Sequence, residues 1–332
     1  MKKEFRILAW RAPYDIATCW IVIAACIFLV AKISWWLFPL TAIITANRLL
    51  ALSLLCHEGL HGNLSPNKNW NDFMGRYLCG FPCCISFSKY RRLHILHHSG
   101  IGSEHWDPDR HLYNYFPMNA RSFLKQQVWN LVTLKTAWNF IKYYTEIPEL
   151  IQILRGKLKL RSLHKASDLK SFLIFIVALN STLIFLGVWG LTQIFWFFPL
   201  MFITQPYVLL MGGLQHGPVR AKNDKLGPSR TVHGSKLYMW LLLPLDINFH
   251  AEHHYNPSVP HYWLKAYSAK LSSNNFHLWK ESYRESLFNL FSQKTISLQP
   301  AVSVNSKDDV HLNNSEFLPQ FESPSAAKTT TT

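Results

Sequence analysis

Eight of the 16 histidines in this chain fall into three short clusters. HEGLH holds His57 and His61. HILHH holds His94, His97 and His98, and HAEHH holds His250, His253 and His254. On a helix, residues at i, i+3 and i+4 share a face, so each cluster is expected to point its imidazoles one way. Neutral imidazole is a good ligand for iron, zinc and copper. A single His pair at i, i+4 is a modest signal, but three such clusters in one chain point firmly to metal. Eight imidazoles also exceed what one ion can use, since octahedral coordination takes about six, so two metal ions are the natural count.

The elements that must position these clusters are apolar. Only 16% of the 332 residues are charged, against roughly 25% in an ordinary soluble domain. Aromatic residues reach 14%, and the net charge is +15. Mean hydropathy near zero, +0.02, suits a few membrane spans attached to a polar, basic body. Four apolar stretches stand out, over residues 16–31, 34–56, 171–188 and 194–211. A bilayer span needs roughly 17–25 residues, so the first is short and the others suffice. They form two tight pairs, one joined near Lys32 and one by Gly187–Gln193. Apart from Lys32, lysine and arginine avoid both tips. The positive-inside rule then puts the N-terminus, residues 57–170 and residues 212–298 on the cytoplasmic side. The reading is an all-α integral membrane protein, with four transmembrane helices in two hairpins and a cytoplasmic helical cap carrying the histidines. Two crossings separate the second cluster from the third, so all three clusters reach one membrane face.

Several local expectations follow. Arg48 interrupts the second span, and its head group is expected to reach the interface. Residues 73–87 are apolar but broken by glycine and proline, suggesting an interfacial or re-entrant segment. Residues 126–144 read as an amphipathic helix lying on the membrane. Residues 1–298 form the membrane domain, and 299–332 a polar, disordered tail. The basic N-terminus has no small-residue cleavage site before the first apolar run, so no removable signal is expected. All six cysteines precede residue 85 and none forms a CxxC pair, which argues against a disulfide scaffold. Cys79, Cys83 and Cys84 are expected to pack rather than bind metal. The isolated His105, His111, His164, His233, His261, His277 and His311 are expected at the surface or interface. Glu58, Asp107, Asp109, Asp246, Asn248 and Glu252 are either polar positions or groups that orient the imidazoles.

HEGLH, HILHH and HAEHH, with paired apolar spans, resemble the membrane fatty acid desaturase superfamily, which includes acyl-lipid desaturases and related hydroxylases and ketolases. NFHAEHHYNPSVPHYWL (248–264) is similar to that family's third histidine motif with its proline-rich turn. WDPD (106–109) and LLMGGLQHGPV (209–219) also match family patterns, and the second match puts an additional ligand at His216. An Asn ligand found one turn earlier in some animal acyl-CoA enzymes falls here on Gly212 and is not carried over. The resemblance covers roughly residues 15–270. It implies a centre of two irons held by His57, His61, His94, His97, His98, His216, His250, His253 and His254. It also implies O2 as co-substrate and insertion of a double bond into a lipid acyl chain.

Within the same chemistry, the alternative is a hydroxylase or ketolase acting on a carotenoid or another lipid. A different class is an intramembrane zinc protease using HEGLH with Glu58 as base, which leaves the other two clusters without a role. A metal transporter would place ligands inside the spans, not at their ends. The chain shows no haem motif, four-cysteine iron–sulfur spacing or GxGxxG. Electrons are therefore expected from a separate ferredoxin or cytochrome b5, usually acidic and suited to a basic surface. The basic regions are read as lipid-facing, with no nucleic-acid role.

Overall fold

The computed structural model describes residues 4–103, 105–157, 168–218, 229–276 and 278–292. The polar C-terminal segment, His164, His277 and His311 lie outside these residues.

The chain is mostly helical. The first helix, α1 (Arg11–Phe28), runs on through a π turn to Ile33, and α2 spans Phe38–Leu60. Ser34 separates them in extended backbone, and its side chain accepts from the Trp36 N–H, capping the turn into α2. Short helix α3 (Lys68–Phe73) and a π turn (Met74–Gly80) pack back on α2 before α4 (Phe87–Gly100). Next come α5 (Ala120–Val132), α6 (Lys135–Tyr144) and α7 (Ile147–Leu154). The second hairpin comprises α8 (Leu169–Phe185) and a helix from Trp189 to His216, whose ends are α9 (Trp189–Thr192) and α10 (Thr204–His216). Gly187 turns between them at φ +70°, where a side chain would be strained.

Among the described residues, three helices are long and apolar enough to cross a membrane: Arg11–Ile33, Trp35–Leu60 and Trp189–His216. The fourth expected span, Leu169–Phe185, is apolar but has 17 residues, at the lower edge of the spanning range. The spans expose large apolar side chains such as Ile21, Ile174 and Phe185, as lipid-facing surfaces do. α2 is the axis of the molecule. It is buried from Thr41 to Gly59 almost without interruption, and it touches α1, α4, α10 and the π turn Met74–Gly80.

The polar residues of α2 correct one expectation. Arg48 does not reach the interface. It is 7% exposed, its Nε is 3.0 Å from Asn47 Oδ1, and its guanidinium lies 4.7 Å from the centre of the Trp240 ring. Asn47 Nδ2 donates to the carbonyls of Trp240, at 3.2 Å, and Leu241, at 2.7 Å. Both belong to α11 (Lys236–Leu242), which folds against the middle of α2. The α11 carbonyls satisfy the Asn47 amide, and the Asn47 oxygen in turn satisfies Arg48, a role that lipid head groups would otherwise have had to fill. The surface helix expected over 126–144 is broken in two at Leu134, which sits at φ +55°. Residues 73–87 pack against α2, with Cys79 and Cys83 in the shared core and Phe81 against Phe172 and Phe175 of α8. All six cysteines are free, and Cys79 and Cys83 are core residues.

A small sheet departs from the all-α reading. β1 (Thr231–His233) and β2 (Lys280–Ser282) pair in parallel. The described residues end with α12 (His250–Tyr255), α13 (Leu264–Ser273) and α14 (Tyr283–Phe291).

Candidate metal centre

Each histidine cluster sits on a helix fixed by its own contacts. His57 and His61 end α2, and Gly62 follows in left-handed backbone at φ +80°. Ser86 caps α4, accepting from the Lys89 N–H at 3.2 Å. Asp168, at the foot of α8, accepts from Ser88 N at 2.6 Å and Arg76 Nε at 3.0 Å, pinning the second hairpin to the start of α4. β1 holds the start of α12: Val232 N donates to the Asn248 carbonyl at 2.9 Å, and Asn248 Nδ2 donates back to the Val232 carbonyl at 3.0 Å.

Nine imidazoles meet where α2, α4, α10 and α12 converge. They form two groups, in each of which one nitrogen from every ring lies within 4.8 Å of the others. The first contains His57, His61, His94, His98 and His253. The second contains His97, His216, His250 and His254. The groups adjoin, for the rings of His98 and His254 stack across them with centroids 4.3 Å apart. The clusters do not each serve one site. α4 gives His94 and His98 to the first group and His97 to the second. α12 does the reverse, giving His250 and His254 to the second and His253 to the first. Residues at i and i+4 stay together, and the residue at i+3 crosses over.

The donor set fits cations. In the first group His94 Nε2 lies 3.0 Å from His61 Nε2 and 2.9 Å from His98 Nε2. In the second, His250 Nε2 lies 2.8 Å from His216 Nε2 and 3.1 Å from His254 Nε2. A ring nitrogen carries one proton or one lone pair, so three converging nitrogens cannot all satisfy one another. A cation among them can. Both ring nitrogens of His253 are buried with no hydrogen-bond partner. Burial pushes His94, His98, His250, His253 and His254 well below the ordinary imidazole value, which keeps them neutral as ligands must be.

His97 differs. Its Nδ1 lies 2.8 Å from Asp107 Oδ1. Burial works to lower its pKa, but the Asp107 hydrogen bond and the charges of Asp109 and Asp107 prevail and raise it. Asp107 also accepts from the Tyr113 hydroxyl, a contact the motifs did not reveal, and from Gly102 N at 2.9 Å. Asp109 lies 3.9 Å from His94 Nδ1, and burial pushes its carboxyl up. Glu58 Oε1 is 3.9 Å from His57 Nδ1, while its Oε2 accepts from the backbone N–H of His261 at 2.9 Å and from Asn63 at 3.2 Å. The remaining candidates serve otherwise. Glu252 accepts from the Thr231 hydroxyl, Asn248 joins β1, and Asp246 is exposed and touches no imidazole.

The isolated histidines among the described residues stay out of both groups. His105 and His233 are exposed. His111 is half-buried, stacked on Tyr143 at 3.9 Å. His261 is not at the surface as expected: it is 4% exposed, with Nε2 3.2 Å from Asp15 Oδ2. Its partner sits on α1, distant in sequence, so no local pattern marked the pair.

A cavity of about 860 Å³ opens onto the imidazoles. Leu50, Leu54, Ile85, Phe140, Leu200 and Val208 form apolar walls, and His57, His94, His97, His216 and His250 reach its inner end. A Cβ on Gly212 would come 2.9 Å from Leu112 Cβ. An asparagine ligand at that position therefore does not fit, in keeping with its omission.

Helices long and apolar enough to cross a membrane, and two buried imidazole groups beside an apolar cavity, are compatible with a metal site in a membrane protein. Residues 5–279 match the fatty acid desaturase family, and the chain belongs to that family, which makes it an oxidoreductase of the desaturase type. It is 25% identical to dihydrorhizobitoxine desaturase of Bradyrhizobium elkanii over 257 residues, covering 75% of this chain and 71% of that one. It is 24% identical to the sn-1 oleoyl-lipid 12-desaturase of Synechocystis sp. over 277 residues, covering 80% and 76%. With the chloroplastic omega-6 fatty acid desaturase of Glycine max it shares 23% identity over 305 residues, covering 87% and 68%.

Proposed function

We propose that the nine imidazoles hold two iron ions, and that the protein uses O2 and two electrons to remove two hydrogens from a lipid acyl chain. The observation that carries this reading is the division of nine buried histidines into groups of five and four beside one apolar cavity. Iron bound there supplies the oxidising power that breaking an unactivated C–H bond requires. The rest belongs to the protein. Asp107 fixes the tautomer and direction of His97 through Nδ1. The cavity walls exclude water and hold the chain so that one pair of methylenes faces the imidazoles.

Desaturation is favoured over hydroxylation or ketolation because the relatives are desaturases. Expression in a host, with mass spectrometry of its lipids and pigments, tests this. Loss of two hydrogens from an acyl lipid supports desaturation, and gain of oxygen supports the alternative. The zinc-protease reading loses support because Glu58 is engaged by Asn63 and the His261 backbone and is absent from the cavity wall.

The charge pattern supports a cytoplasmic placement of the N-terminus, the histidines and the C-terminal region. A net charge of +15 suits docking of an acidic electron donor, a ferredoxin or cytochrome b5. Turnover in membranes is then expected to need an added donor system and to weaken as salt rises.

A further inference from the structure

A second cavity of about 590 Å³ adjoins the first, sharing the side chains of Leu112, Phe140, Tyr144, Gln205 and Val208 with it. Its walls are of another kind. From α5, Phe123, Gln126, Gln127 and Asn130 line it. The spacing is i, i+3, i+4, i+7, one face of a helix. Asn139 of α6 and Gln205 of α10 add two more amides. The outer face of α5 is open: Leu124, Val128 and Val132 are 63%, 61% and 72% exposed, with the cations of Arg121 and Lys125 exposed beside them. α5 thus turns its amides inward while leaving aliphatic side chains exposed outward.

A lipid surroundings accounts for the outer face. It gives no reason for the inner one, because burying an amide without a partner costs free energy. Gln127 Oε1 is buried and has no hydrogen-bond partner. Among the described residues lining this cavity there is no lysine, arginine, aspartate or glutamate. The Nδ1 of His111 is already 2.7 Å from the Pro108 carbonyl. A carboxylate or phosphate entering here would lose its hydration and meet no cation, whereas hydroxyl or amide groups would meet a row of amides.

Resting on the reading of the first cavity as the acyl-chain site, we propose that this amide-lined cavity binds the polar head of the substrate. It selects an uncharged head bearing hydrogen-bond donors over a free carboxylate or a coenzyme A thioester. Gln127 and Asn130 are the specificity-determining residues. The head is held under α5, and the chain passes the shared wall of Phe140, Tyr144 and Val208 toward the imidazoles.

Equilibrium binding of radiolabelled probes to the purified full-length protein in a neutral detergent tests this. The probes are 1-monooleoylglycerol, oleate at alkaline pH, oleoyl-coenzyme A and the headless 1-octadecene. Monooleoylglycerol is expected to bind at least about tenfold more tightly than either anionic probe, and Gln127→Leu with Asn130→Leu to remove about that factor. The same double variant should bind 1-octadecene unchanged, which also reports an intact fold. Gln127→Lys should move the preference toward oleate. Equal or tighter binding of oleate or oleoyl-coenzyme A by the unaltered protein would overturn the proposal. So would a double variant that keeps its affinity for monooleoylglycerol. Failure of 1-octadecene to bind at all would instead bring down the acyl-chain reading, and this inference with it.

Discussion

Asp107 Oδ1 sits 2.8 Å from His97 Nδ1, and the same carboxylate accepts from the Tyr113 hydroxyl and the Gly102 backbone. The partner of the ring is thus itself held in place from two further directions. His97 is the one residue of α4 that turns to the four-histidine group, so its orientation decides whether that group closes. Asp107→Asn keeps the shape and removes the charge. Loss of such an orienting partner typically costs about 10–100-fold in metal affinity or activity. Competition with a coloured chelator should show iron released from one site of the variant well before the other. Tyr113→Phe, which leaves the His97–Asp107 bond in place, should show a smaller effect in the same direction.

His216 stands alone in the sequence yet lies 2.8 Å from His250. His216→Ala should lower bound iron and abolish turnover while the protein still inserts in the membrane. His105→Ala and His233→Ala, at exposed positions, should keep full iron content. Elemental analysis of the three purified variants checks this, and normal iron in His216→Ala would remove that residue from the centre.

What could be read from the chain beforehand, and what could not, divides by range. The eight clustered histidines were legible because helical spacing places i, i+3 and i+4 on one face, and hairpin counting brings the clusters to one end. His216 was legible through the likeness of LLMGGLQHGPV to a family pattern and through its place just past the end of the fourth apolar stretch, level with His57. The exchange of His97 and His253 between groups was not legible, since spacing fixes a face but not which of two adjacent sites a ring enters. Arg48 and His261 were misplaced for the same reason. Their partners, Trp240 and Asp15, are brought in by tertiary packing. Strands as short as Thr231–His233 and Lys280–Ser282 carry no periodic signal, and each forms only because the other is present.

The polar pair inside α2 has a measurable role. Asn47→Leu would strip Arg48 of its side-chain acceptor and leave the Trp240 and Leu241 carbonyls short of a donor. Each buried group left unsatisfied costs about 1–3 kcal/mol. Thermal unfolding in detergent should therefore show a clear loss of stability, and an unchanged midpoint would mean that water or lipid fills the gap.

Close packing of α10 on the segment before α5 gives a second stability test. A Cβ built on Gly213 would lie 2.4 Å from Phe116 Cε2, so Gly213→Ala must displace a buried ring. Overpacking of this kind costs about 1–3 kcal/mol. The expected outcome is a lower unfolding midpoint together with weakened iron retention, because His216 lies three residues further along the same helix. Gly156→Ala, where nothing lies near the added carbon, tests the backbone alone, its φ being +68°, and should leave iron retention unchanged.

The metal content of the full-length protein, purified anaerobically and analysed element by element, bears on everything above. Two irons per chain are predicted, with both lost on treatment with a strong chelator and restored by ferrous iron alone. One zinc per chain, or a single iron that survives alteration of His97, His216, His250 and His254, would contradict the account.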